Sequence, residues 1–410
     1  MERLVITKLL PLRDITLDVK PFMVITGDIA AGKSLIIKSL EFFSGIFTES
    51  LTQSYEKFIE RLDAERFKDR LIKGFDRRFR FENNVLFDIS YICSYGGNEF
   101  KIRMYRENAG DAISIDSKFL DSELNYWNDC IKNNKLESFS DFSDVRNKFS
   151  ARISKKFNNL HPLVPTFIPA SRAALAIGKG NFWDNYLMEY QDLIGYIKTL
   201  PNSKHIDEIH KILKAKIKIN GDILLISDDN REVKLANASS GQQEAFFILL
   251  LLDKLPHLNY IEICKQHYIF IEEPEAHLFP EEQNRILKLI IRIFNEIRND
   301  KNSTPVKFFI TTHSPYVLDT INNMLKKGSI IKSHPQHIKR IEEEIEIPSL
   351  DADDFSAIFI NADGTKTDIL DPNEEKIFPE KIRDISLSIH NDSEKLSELN
   401  NELIYADQEN

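Results

Sequence analysis

The chain has only three cysteines in 410 residues, Cys93, Cys130 and Cys264, odd in number and unpaired in spacing. That argues against a disulfide framework and a zinc site, and fits a reducing compartment. Long apolar runs are missing too: the longest, residues 245–252, is far short of the roughly 20 residues that cross a bilayer. No basic region followed by an apolar core and a small-residue cleavage site opens the chain, so neither export nor membrane insertion is expected and a cytoplasmic location follows. Low-complexity segments and evident linkers are also absent. Nor is there an excess of positive charge: 54 Lys and Arg stand against 64 Asp and Glu, a formal net charge of −10, so nucleic acid could be held only by a local basic face. What remains is a globular chain whose aromatic fraction of 10% can furnish one large core or two modest ones.

Hydrophobic periodicity gives the organisation. Short β-type runs at 4–6, 15–19 and 22–26 lead into a glycine-bounded loop and an apolar-periodic helix over 33–47. Residues 48–162 turn polar and charged with mixed signals, and read as an insertion. A β-type run at 164–168 precedes helical patterns at 182–197 and 205–217, then strands at 222–227 and 232–235. Residues 268–271 and 308–310 are unbroken apolar runs, each preceded by a helical segment, which indicates a parallel sheet covered on both faces. A hairpin is expected at 355–360 and 366–370, followed by a helix. The expected fold class is α/β: a head with a mixed β-sheet flanked by helices over 1–47 and 163–340, an α+β insertion over 48–162, and a hairpin with a helical tail over 341–410.

Gly27, Asp28, Ile29, Ala30, Ala31, Gly32, Lys33 and Ser34 have the spacing of a P-loop, and they follow a strand and open a helix as that motif requires. Gly27 and Gly32 let the loop turn back so that backbone N–H groups and the helix amino terminus face the phosphates of ATP. Lys33 is expected at the β- and γ-phosphates and the Ser34 hydroxyl at Mg2+. An ordinary strand-to-helix turn is the competing reading, and the context disfavours it. The run 268–275 ends a buried strand in carboxylates, where open α/β sheets bind ligands. Glu272 is expected on the metal side, and Glu273 to orient or deprotonate the attacking water.

Two further elements bear on the class. Ser239, Ser240, Gly241 and Gln242 precede a long apolar helix and leave its first N–H groups open to an anion. His313 follows the strand at 308–310 and brings an imidazole to the same edge. Taken singly, a helix cap and a core histidine compete with these readings.

The order of these elements resembles the ABC ATPase superfamily, in the branch of RecF-, SMC- and OLD-like heads, over most of the chain except 48–162. The resemblance implies that Ser240, Gly241 and Gln242 form a signature that binds the phosphate held by a partner's P-loop, in a head-to-head dimer. It makes His313 the switch histidine, Glu273 the catalytic glutamate, and 275–279 the loop that crosses the dimer seam. Residues 271–280, 311–316 and 167–173 look like ATPases that accompany a separate effector in bacterial anti-phage systems, those of the PARIS type first and of the Septu type next. The partners so implied are a second copy, an effector nuclease or toxin, and a phage protein or nucleic acid as trigger, with no membrane.

Three departures limit the transfer. Glu272 stands where many such heads have aspartate, and Asp28 puts a carboxylate beside the phosphates, either slowing nucleotide capture or pointing outward. No Q-loop is evident, since Gln53 and Gln191 lie at no clear strand end. A fused nuclease is not expected, because Asp351 and Asp353 supply one acidic pair and too little chain follows. A RecF- or SMC-like DNA-structure ATPase is the alternative, for which a long coiled coil or a basic head would be expected and neither is evident. A transporter subunit fits poorly.

Three weaker features remain open. Residues 66–80 mix seven basic residues with Phe67, Phe75 and Phe79, which suits a nucleic-acid backbone or a partner, although a solvated helix face is favoured. Arg172 suits either the nucleotide or dimer seam, or a structural ion pair. Ile382, Ile385, Ile389, Leu396, Leu399 and Leu403 form a near-heptad stripe, with packing in cis favoured over oligomerisation.

Overall fold

The structure, a computed structural model, describes residues 1–46, 64–95, 98–122, 125–126, 163–170, 172–173, 204–220, 222–257, 266–300, 303–371, 373–378 and 395. β1 (Glu2–Leu9), β2 (Leu12–Asp18) and β3 (Phe22–Gly27) lead into α1 (Lys33–Ser44). Next come α2 (Ala64–Phe79), β4 (Phe87–Tyr95), β5 (Asn98–Arg106), β6 (Ser114–Asp116) and β7 (Leu163–Ile168). α3 (Ile206–Leu213) precedes an antiparallel meander of β8 (Lys216–Asn220), β9 (Asp222–Ile226) and β10 (Glu232–Lys234). Then follow α4 (Ser240–Lys254), β11 (Gln266–Glu272), α5 (Pro280–Asn299), β12 (Val306–Thr311) and α6 (Pro315–Ser333). α7 (Ile338–Glu344), β13 (Phe355–Ile360) and β14 (Lys366–Asp368) complete the elements that concern the site.

The central sheet has the order β14-β13-β3-β12-β11-β7, with every pairing parallel except β13 with β14. Its strands alternate cleanly between two cores. Phe22, Val24, Ile269, Ile271, Phe308 and Ile310 join the cluster built with α4, α5 and α6. Met23, Ile25, Tyr268, Phe270 and Phe309 join the cluster that includes α1 and the antiparallel sheet β2-β1-β4-β5-β6. Each buried Phe or Ile is worth about 1.5–3 kcal/mol. A one-residue slip would turn all of them onto the wrong core, so the register is held firmly and the strand ends are fixed with it. α4 is apolar all round, with residues 245–252 buried, as a helix between a sheet and other helices should be.

The expected α/β class is the fold observed. Differences arise at element ends and in long-range pairing. The helix expected over 205–217 stops at Leu213, because Lys214 takes a left-handed φ of 50°, and Ile217 instead lies in β8, whose residues alternate with period two. α1 ends at Ser44, with Gly45 closing it through its N–H. Backbone hydrogen bonds cross both boundaries drawn from composition: β4, from the 48–162 range, pairs with β1, and β13, from the 341–410 range, pairs with β3. The helical pattern at 182–197, the near-heptad stripe, Gln53, Gln191, Cys130 and Cys264 fall outside the described residues.

In α2, Phe75 is fully buried against Phe42, Phe79, Phe81 and Phe87, so its ring cannot stack on a base. Arg78 pairs with Glu41 at 2.7 Å and lies over Phe167, and Lys68 pairs with Asp121 at 2.6 Å. Among the described residues no helix is long and apolar enough to cross a membrane.

Candidate functional site

The carboxyl ends of β3, β7, β11, β12 and β13 lie along one edge of the central sheet, and the loops that leave them carry the candidate residues. After β3 the loop turns on Gly27 (φ 149°), Ala30 (φ 60°) and Gly32 (φ 101°) and runs into α1. Gly27 has to be glycine: a Cβ there would meet the Ile360 carbonyl oxygen at 2.3 Å. The Asp28 N–H donates to that same carbonyl at 3.1 Å, and the Ala31 N–H donates back to the Asp28 carbonyl at 3.3 Å. The end of β13 therefore braces the loop. At its far end Leu12 packs under Gly32, where a Cβ would lie 2.7 Å from a leucine methyl.

Lys33 is buried, and its ammonium donates to the carbonyls of Gly27 (3.1 Å) and Asp28 (2.7 Å). Burial pulls its pKa down, while Glu273 and then Asp28 pull it back up. Asp28 thus acts on the lysine electrostatically from a half-buried position, and Ser34 is exposed in the first turn of α1.

β11 delivers three glutamates to three different environments. Glu272 is buried; its Oε2 accepts the Ala170 N–H at 3.1 Å, and its Oε1 has no hydrogen-bond partner among the described residues. Glu273 has a left-handed φ of 45° and a partly exposed carboxylate, and its N–H donates to the Thr311 carbonyl at 2.9 Å. Glu275 is buried, with Oε1 accepting from the Thr312 hydroxyl (2.5 Å) and the His313 N–H (3.0 Å), and burial pushes its pKa up. A buried glutamate thereby fixes the backbone that presents His313.

The His313 Nε2 stands 3.7 Å from the Glu273 carboxylate. Burial first, and the Lys33 charge second, lower the imidazole pKa, with Glu273 opposing them. A neutral ring is what this environment favours. Lys33, Glu273 and His313 are thus brought to one place.

At the head of α4, Ser239 and Gln242 form a reciprocal capping box: the Ser239 Oγ accepts the Gln242 N–H at 3.4 Å, and the Gln242 Oε1 accepts the Ser239 N–H at 3.2 Å. The cap satisfies the helix start within the chain, yet Ser239 and Ser240 remain exposed. Gly241 is pressed onto the loop after β11, where a Cβ would meet the His277 carbonyl oxygen at 2.6 Å.

Arg172 occupies the structural of its two possible places. It is 0% exposed, and its partners among the described residues are the carbonyls of Pro169, Glu244, Glu272 and Glu273, and the Glu244 carboxylate at 3.4 Å. Such a guanidinium cannot also reach a nucleotide, which corrects its assignment as a nucleotide-binding residue. Sequence reasoning missed Glu244 and the Ala170 amide; the one available signal was a lone carboxylate at the head of an eight-residue apolar run.

No group of three or more His, Cys, Asp or Glu is gathered as a metal cage among the described residues. Magnesium needs less, since it keeps several waters and takes one or two protein oxygens beside substrate phosphates. The unpartnered buried oxygen of Glu272 and the exposed Ser34 hydroxyl fit that demand.

Among protein families, the model described as "AAA domain, putative AbiEii toxin, Type IV TA system" matches residues 22–319, more than half of the chain. Among solved structures, the chain is similar to the SMC head domain from Thermotoga maritima, at 12% identity, covering 90% of this chain and 97% of that one, with a TM-score of 0.35. It is similar to an SMC head bound to the C-terminal winged-helix domain of ScpA, at 11% identity, coverage of 90% and 96%, and a TM-score of 0.37. It is also similar to the recombination mediator protein RecF of the RecFOR pathway, at 13% identity, coverage of 90% and 97%, and a TM-score of 0.34. No curated protein matches the chain.

Proposed function

The chain belongs to the AAA domain, putative AbiEii toxin, Type IV TA system family, and on that premise we propose that it is an ATPase whose nucleotide sites are completed between two copies, serving as the sensor subunit of an anti-phage system. The observation that carries the ATPase reading is the meeting of Lys33, Glu273 and His313 at one sheet edge, with ring and carboxylate 3.7 Å apart. ATP binds with its β- and γ-phosphates against the N–H groups of residues 27–34 and the start of α1. Lys33 exchanges its two carbonyl partners for phosphate oxygens, and the anion restores the proton affinity that burial takes away. Glu273 orients or deprotonates the attacking water, and the neutral His313 beside it contacts the reacting phosphate. Ser34 and Glu272 are the residues that would hold magnesium, which would neutralise the phosphate charge.

The exposed head of α4 is the half of the site that each copy offers to the other. Ser240, Gly241 and Gln242 present a helix amino terminus to the phosphate held by the partner's P-loop. The toxin–antitoxin wording of the family's description supports a defence role over a DNA-repair one, as does a basic helix whose Phe75 ring is used in the core. The effector, a nuclease or toxin, is a separate chain, and a phage protein or nucleic acid is the trigger.

Complementation tests the composite site. Lys33→Ala removes the charge that holds the phosphates, so that chain should fold but not bind ATP. Ser240→Asp suits a helix start yet repels an incoming phosphate, and Ser240 is exposed, whereas a Cβ at Gly241 would meet the His277 carbonyl oxygen. Each variant alone should be nearly inactive. Mixed, they give one site of two intact halves, and turnover should return towards a fraction of wild type. No recovery, while native mass spectrometry shows mixed oligomers, would sink the composite site.

A further inference from the structure

The loop after β7, the head of α4 and the end of β11 are the three parts that a composite ATPase would have to coordinate, and one side chain ties them together. Arg172 donates through Nε to the Glu244 carbonyl (3.0 Å), through Nη1 to the carbonyls of Glu272 (2.7 Å) and Pro169 (3.2 Å), and through Nη2 to that of Glu273 (2.8 Å). Four backbone acceptors from three elements take one rigid fork, which a lysine cannot reproduce. A fully buried guanidinium carries a large desolvation cost, and burial accordingly pulls its pKa down against four nearby glutamates. A core that needed only packing there would be better served by an apolar residue.

Glu244 closes the connection from the other side. Its Oε2 lies 3.4 Å from the Arg172 guanidinium, and its Oε1 lies 2.9 Å from the His277 Nδ1. His277 sits in the loop after β11 with a left-handed φ of 57°, and its carbonyl rests against Gly241. Any shift of the α4 head is therefore felt at the backbone of Glu272 and Glu273 by two routes, Glu244 to Arg172 and Gly241 to His277.

We propose that Arg172 is a positioning residue that, with Glu244 and His277, carries the position of the α4 amino terminus to the backbone of Glu272 and Glu273, so that these carboxylates align for turnover only when α4 engages the phosphate of a partner's nucleotide. This rests on the composite-site reading and adds a regulation to it. Arg172 is fully buried, and its effect passes through the geometry of two carboxylates. Misplacement by about 1 Å costs on the order of a hundredfold in rate at worst.

The test compares kcat and KM for ATP in the wild-type chain, Arg172→Lys and His277→Ala, with active-site titration to count folded sites. Arg172→Lys should lower kcat per folded site by about tenfold while KM stays within about twofold, because the P-loop is untouched. His277→Ala, at a side chain 61% exposed that can be cut without threatening the fold, should lower kcat by about threefold with KM unchanged. If Arg172→Lys does not fold, His277→Ala carries the test alone. Undiminished kcat per folded site, or a parallel rise in KM, overturns the link. No turnover by the wild-type chain sinks the ATPase reading, and the link with it, which separates the two failures.

Discussion

β11 and β12 carry polar groups at both ends, and the two ends are built on opposite terms. At the amino end the Glu2 carboxylate accepts from the Tyr91 hydroxyl, the Tyr268 hydroxyl and the Lys307 ammonium, the last at 2.6 Å, while the buried His267 ring pairs with the Thr166 hydroxyl at 2.8 Å. Both Glu2 oxygens are met. At the carboxyl end, one buried oxygen each of Glu272 and Glu275 has no hydrogen-bond partner among the described residues. A buried polar atom left so costs about 1–3 kcal/mol. Among side chains that share strands and cores, that contrast separates a cluster that stabilises the fold from one kept open for a ligand.

The sharpest way to break this comparison is Glu273→Gln. It keeps the volume but removes the base, and turnover should fall about a hundredfold or more. It also removes one of several close carboxylates, so the thermal midpoint should hold or rise, the trade expected where function opposes stability. Dimers formed with ATP should accumulate and be visible by size exclusion. Wild-type turnover in this variant would move the base to another carboxylate of the loop.

How much of this was legible beforehand follows from distance along the chain. The P-loop could be read because its eight residues and their flanking strand and helix are contiguous. Glu272 and Glu273 could be read because they end an unbroken apolar run. The bracing of Gly27 by Ile360 could not, since the two meet only through parallel pairing of strands from opposite ends of the chain. Arg172 was visible as a residue but not as a clamp. Four of its partners are backbone carbonyls, which every residue has, so no side-chain pattern announces them. The aromatics of α2 misled for the converse reason: rings interleaved with basic residues suit nucleic acid and a core equally, and only β4 and α1 show that Phe75 belongs to the core.

The comparison sharpens with pH. The carboxyl-end imidazole, His313, has its pKa lowered below 6.5 by burial and by Lys33, so it stays neutral as the pH falls past the ordinary histidine value. Turnover should hold to below pH 6.5 and then drop about tenfold per unit as the ring protonates. The same depression makes the unfolded chain take up this proton first, so the stability owed to it is intact above 6.5 and is lost between 6.5 and the lowered value. At the amino end, burial alone holds His267 down to about 3, and its neutral ring predicts acid destabilisation that begins at the same 6.5 and continues down to about 3, with no effect on rate. His313→Gln should abolish the acid limb in kcat while leaving much of the acid destabilisation in place. An unshifted limb in that variant would assign the titration to another group.

The smallest effect on turnover is expected from Glu2→Gln, at the far end of the strands that carry the catalytic carboxylates. The amide keeps one acceptor oxygen, and the tyrosine hydroxyls can rotate to accept from its NH2, so Tyr91 and Tyr268 lose little. Lys307 loses its counter-charge but is partly exposed, over the Tyr268 ring, and water screens part of that loss. The net destabilisation should therefore sit near the low end for a perturbed buried network, about 1 kcal/mol. Measured per folded site, kcat and KM for ATP should not change, because the central strands are held in register by their two cores and not by the polar groups at their amino ends. A fall in kcat with an unchanged thermal midpoint would show that β11 and β12 transmit strain from one end to the other, and the division between a stabilising end and a working end would then be wrong.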